Sequence, residues 1–112
     1  MTTKRNGRPY GNLNQLRPAS RDTIELFRAV EERFVRLLNT WERIRGERLV
    51  PPSSLDREML LWRTMAIRFK KGDFRHTAGE FKAMTIVAQW TVDTNKVLRG
   101  QPLEKPIEWE MK

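Results

Sequence analysis

Lys4, Arg5, Arg8, Arg17 and Arg21 are the only charged residues among the first twenty-one positions. A Lys or Arg set beside a phosphate displaces condensed counterions, so an acid-free run of bases has the chemistry of polyanion contact. A second group of bases comprises Arg57, Arg63, Arg68, Lys70, Lys71 and Arg75, and between positions 50 and 71 only Asp56 and Glu58 oppose it. Residues 22 to 49, by contrast, hold six acids and six bases and cancel. The whole 112-residue chain carries a formal charge of +8.

Other chemistries lack their parts. There is no cysteine, which excludes disulfides and thiolate metal sites, and His76 is the single histidine, so no second imidazole can share a metal. No glycine-rich run follows a strand, as a phosphate-cradling or dinucleotide-binding loop would require. Ser20, Ser53 and Ser54 read as helix caps, and neither Glu31–Glu32 nor Glu108–Glu110 reads as a buried carboxylate pair. The expectation is a chain without catalysis, cofactor, metal or small-molecule substrate. A membrane partner is not expected either. No window approaches the ~20 apolar residues of a span, and the prolines and glycines of the basic start do not suit a surface-lying helix. The opening MTTKRNGRPYGNLNQ has no apolar stretch behind its bases, so a cytoplasmic location is expected.

The elements that would position these bases follow from periodicity. Residues 1–19, broken by Gly7, Pro9, Gly11 and Pro18, read as a basic flexible arm. A first helix over about 20–46 starts at Ser20 or at Asp22, with Glu25 in capping-box spacing after Asp22. Its stripe is Ile24, Phe27, Val30, Phe34, Leu37, Leu38, Trp41 and Ile44, with Glu25, Arg28, Glu32, Arg36 and Arg43 opposite. Val50-Pro51-Pro52 stops it, and Ser53 or Ser54 caps a second helix over 54–71. There Leu55, Met59, Trp62, Met65, Ala66 and Phe69 face inward, while Leu60 and Ile67 lie among arginines. A third helix over 77–99 begins with Thr77 and Glu80 in capping-box spacing. Apolar residues surround most of it, so its second side (Ile86, Trp90, Val97) is expected to meet another subunit. The 101–112 tail alternates Ile107, Trp109 and Met111 with charges and reads as extended, with no sheet for it to join. His76 reads as a solvated loop or near-cap histidine. Trp41 and Trp62 read as core, and Trp109 as a docked anchor or contact for a partner.

The fold expected is all-α, a small three-helix bundle, roughly antiparallel, with extended N- and C-terminal arms. A turn longer than that of a helix-turn-helix, and a third helix poor in polar side chains, argue against reading base edges. Contact with the RNA or DNA backbone through Lys4, Arg5, Arg8, Arg17, Arg57, Arg63, Arg68, Lys70, Lys71 and Arg75 is the leading expectation. The setting would be a nucleoprotein assembly, joined through Leu60, Ile67, Ile86, Trp90, Val97, Ile107 and Trp109. In build alone, the chain resembles the small helical subunits of CRISPR effector complexes and the small coat and packaging proteins of viruses, and that resemblance assigns no site residue. A rival expectation is an adaptor or inhibitor that binds an acidic protein surface, with Leu60 and Ile67 as the contact.

Overall fold

Ser20 converts the incoming extended chain into helix: its Oγ accepts the Thr23 backbone N–H at 3.1 Å, and α1 (Arg21–Arg45) begins at the next residue. The cap is therefore Ser20 and not Asp22, and Glu25 pairs with Arg21 at 3.7 Å. At the other end Gly46 takes up φ 73° and donates its N–H to the Glu42 carbonyl at 2.8 Å, a left-handed stop that glycine adopts without strain. The computed structural model describes residues 15–100; Lys4, Arg5, Arg8, Ile107 and Trp109 lie outside the described residues.

The stripe on α1 is largely confirmed. Phe27, Val30, Leu37 and Trp41 are buried, but Ile44 is 58 % exposed. The last turn of α1 extends past the core, and Leu49, on the returning chain, takes the inward place beside Leu37, Trp41 and Trp90. Pro51 and Pro52 then lead into a 3-10 turn, Ser53–Leu55, in which the Leu55 N–H donates to the Pro52 carbonyl at 2.9 Å. The second helix, α2 (Asp56–Lys70), thus follows directly on this turn, with Leu55 and not a serine at its N-cap position and with Asp56 and Glu58 in its first turn to meet the helix dipole.

After Gly72 (φ 85°) the chain reverses, and residues 75 and 76 run extended beside the residues that precede α1. Strand β1 (Arg17–Pro18) pairs antiparallel with β2 (Arg75–His76), and the Ala19 N–H donates to the Phe74 carbonyl at 2.8 Å. No sheet was expected from the sequence. The ribbon forms because Pro18 biases Arg17 to extended backbone while the Gly72 turn delivers a second extended segment alongside it. The last residues of the arm are consequently fastened to the domain.

The third helix, α3 (Ala78–Leu98), opens with the capping box that was expected: the Glu80 N–H donates to Thr77 Oγ1 and the Thr77 N–H to Glu80 Oε1. It packs closely against both other helices. Phe27 and Val30 share a cluster with Met84 and Val87, and Leu37 and Trp41 share the next with Trp90, Val97 and Leu98, so α1 and α3 run parallel and α2 returns between their ends. This corrects the reading of α3 as half-exposed to a second subunit. Trp90 is only 5 % exposed, 6.1 Å from Phe34, and Val97 packs on the same cluster. Ile86 is half-buried. The bundle itself buries Trp90 and partly covers Ile86 and Val97.

Aromatic rings hold the centre. Phe27 lies 4.8 Å from Trp62 and 4.7 Å from Phe69, centroid to centroid, both tilted. Burial of one such side chain contributes about 1.5–3 kcal/mol, and tilted ring pairs add about 0.5–1.5 kcal/mol beyond area. Trp41 and Trp62 are core, as their stripes indicated.

Candidate nucleic-acid interface

Between the end of α2 and the start of α3, three of the expected phosphate contacts are already engaged. Arg68 Nη1 and Nη2 donate to the two Glu80 carboxylate oxygens at 2.7 and 3.0 Å, and Nη1 also donates to the Arg75 carbonyl at 2.9 Å. The Arg68 side chain is 17 % exposed and that of Glu80 4 %. The hydrogen bonds to Glu80 and that carboxylate's charge outweigh burial and hold the guanidinium above its ordinary range. Arg68 is therefore a clamp joining α2, β2 and the first turn of α3, and not an open cation. Arg75 donates through Nε and Nη2 to both carboxylate oxygens of Asp73 at 2.7 and 2.8 Å. Those bonds hold the Asp73 carboxyl below its usual range and the Arg75 guanidinium above its own. Lys70 reaches Glu31 of α1 at 3.1 Å.

The remaining expected cations are differently placed. Arg57, Arg63 and Lys71 are exposed on α2 and form no ion pair among the described residues. Arg57 and Lys71 share its outward side with Leu60 and Ile67, which are 65 % and 58 % exposed, while Arg63 stands at the edge that faces α1, in a groove with Asn39, Glu42 and Arg48. The spacing 57, 60, 64, 67, 71 keeps one line along the helix. Arg17 is exposed on β1. His76 takes the near-cap place, immediately before the Thr77 cap of α3, and is half-buried: Nδ1 lies 3.0 Å from the Thr77 carbonyl oxygen, and its ring is 5.6 Å from Phe81.

A further group of bases was missed. Arg33 and Arg36 of α1 and Lys96 and Arg99, from the last turn and end of α3, line a cleft of about 350 Å³ with Leu37, Thr40, Thr91, Val92 and Asn95. No acidic side chain lines it. Arg36 pairs with Glu32 at 3.1 Å, while Arg33, Lys96 and Arg99 have no ion-pair partner among the described residues. In the sequence Arg36 lies opposite the apolar stripe of the first helix, one turn from Glu32. The i, i+3 spacing of each pair was the available signal, and only the parallel packing of α1 on α3 joins them.

Of the 22 bases and 14 acids in the chain, residues 15–100 hold seventeen and eleven, a surplus of six to which Arg17 and Arg21 of the acid-free run contribute two. Among the described residues no three His, Asp or Glu side chains group as metal ligands. None of the helices there is long and apolar enough to cross a membrane. No family model, curated protein or solved structure matches the chain.

Proposed function

We propose that the chain is a non-catalytic, cytoplasmic subunit of a nucleoprotein assembly that grips the RNA or DNA backbone without reading its bases. The observation that supports this is the outward side of α2, where Arg57 and Lys71 stand exposed with no acid paired to them among the described residues, with Arg63, likewise unpaired, at its α1-facing edge. From Arg57 to Lys71 the helix rises about 21 Å, or about six axial steps of a duplex strand. Arg17 adds a cation on the ribbon, and Lys4, Arg5 and Arg8 would extend the contact from the arm. Assembly with another subunit falls to Leu60 and Ile67, since Trp90 and Val97 are used inside the bundle.

The test is fluorescence anisotropy of the full chain with unrelated RNA and DNA oligonucleotides over a salt series. Binding to both, weakening steeply with salt, is expected. An absence of binding even in dilute buffer would sink the proposal.

A second reading has its own support: Leu60 and Ile67 lie bare between those same cations, which suits an adaptor that docks on an acidic, partly apolar protein surface. Under it, substituting Leu60 and Ile67 with serine abolishes capture of that protein, and native mass measurement shows no oligonucleotide adduct.

A further inference from the structure

We infer that the cleft between α1 and α3 is a site for a compact, multiply charged phosphate: a diphosphate or a terminal phosphate monoester. Four side-chain cations, Arg33, Arg36, Lys96 and Arg99, converge on about 350 Å³ that no carboxylate lines. Gathering four like charges around one small space is unfavourable unless an anion answers them. A surface that only needed charge for solubility would intersperse both signs. The volume lies at the lower end of the range for small-ligand clefts, about 300–1,000 Å³, and suits a phosphate group rather than a folded segment.

The donor set also fits. Three of the four cations are guanidinium groups, whose planar fork meets phosphate oxygens two at a time. Arg33, Lys96 and Arg99 carry no competing ion pair among the described residues, and Arg36, paired with the exposed Glu32 at 3.1 Å, is the least free of the four. Asn95 brings a side-chain amide. Thr91 brings only an acceptor, because its hydroxyl donates to the Val87 carbonyl at 2.9 Å. The end of α3 contributes about half a negative charge, which four full cations outweigh. Singly charged carboxylates spread along an acidic peptide would leave most of this cluster unanswered, so phosphate is the better match.

The site shares no residue with the outward side of α2, and the two are separable by experiment. Inorganic pyrophosphate is titrated into the full chain by calorimetry at fixed ionic strength, with sodium chloride as control. Saturable binding of pyrophosphate is expected, weakened at least about tenfold by Arg33→Gln with Arg99→Gln, and separately by Lys96→Gln. The double variant Arg57→Gln with Lys71→Gln should bind it as the parent does. These positions are outside the hydrophobic core, and an unchanged thermal unfolding midpoint confirms that each variant is folded. A hexanucleotide with a 5′-phosphate is compared with its 5′-hydroxyl twin to assign the source. Tighter binding of the phosphorylated strand, lost in the cleft variants, identifies a strand end, and equal binding of the twins identifies a free diphosphate. Pyrophosphate that fails to bind, or binds the cleft variants as well as the parent, overturns the site. Backbone binding fails separately, if the 5′-hydroxyl strand shows no salt-dependent affinity.

Discussion

Arg68 and Glu80 are a charged pair the bundle encloses, and they illustrate why a base in a basic stretch need not be a binding residue. The carboxylate of Glu80 accepts from Arg68 twice and from the Thr77 N–H once, so it caps α3 and anchors α2 with the same two oxygens. Glu80→Gln keeps the size and leaves a guanidinium with a neutral partner in a site where its side chain is 17 % exposed. A loss on the order of 3 kcal/mol is expected, read as a lower urea midpoint with the slope unchanged. Oligonucleotide affinity of the folded fraction should not move. Asp73 offers a milder check. Its carboxyl is held low, chiefly by the hydrogen bonds from Arg75, so the folded form releases its proton more readily than the unfolded chain, where the value is about 3.9. The stabilisation is therefore complete above that value and is lost as pH falls through the lower folded one. Following the Asp73 carboxyl by NMR should show titration below the ordinary range, returning towards it in Arg75→Gln. Titration at the ordinary value in the parent would show that the pair is absent in solution.

Each helix owes its place to a stripe that was visible in the chain, and most of that stripe reading holds. Caps and stops such as Ser20, Gly46 and the Thr77–Glu80 box are local patterns, so they were legible residue by residue. What no local pattern carries is which helix lies beside which. Apolar residues around α3 fit either a central helix or a dimer interface, and only packing decides for the former, with Met84 and Val87 fully buried between its neighbours. The same fact hid the cleft, since Arg33 and Lys96 are 63 positions apart in the chain and meet only because α1 and α3 run parallel. Burial on several sides has left α3 a polar flaw. Thr94 is 0 % exposed, yet its Oγ1 finds no hydrogen-bond partner among the described residues, whereas Thr91 donates back to Val87. An unsatisfied buried hydroxyl costs about 1–3 kcal/mol. Thr94→Val replaces it with a methyl of nearly the same shape and should raise stability by about 1 kcal/mol. A higher midpoint in urea is the readout, and a lower one would mean that the hydroxyl has a partner in solution.

At the scale of the molecule the surplus of cations is unevenly open. Lys70 and Arg75 are tied to Glu31 and Asp73, while Arg57, Arg63 and Lys71 face solvent without a partner, although all five lie within one stretch of sequence. Removing any one of them changes the net charge by the same amount. Their effects on backbone binding should nevertheless differ, because the slope of affinity against salt counts the phosphates that are actually neutralised, about 0.9 per contact on duplex DNA. Replacing Arg57, Arg63 and Lys71 together with glutamine should lower the magnitude of that slope by about 2.7. Replacing Lys70 and Arg75 should lower it by less than about one, since a base held by a carboxylate has little counterion to release and the loss acts only through the screened field beyond it. Charge alone would make the two variants differ only in proportion to the bases removed, three against two. A salt series of anisotropy curves on parent, triple and double variants separates the cases: slopes that fall by equal amounts per base removed would mean that net charge, and not the open side of α2, governs the encounter with phosphate.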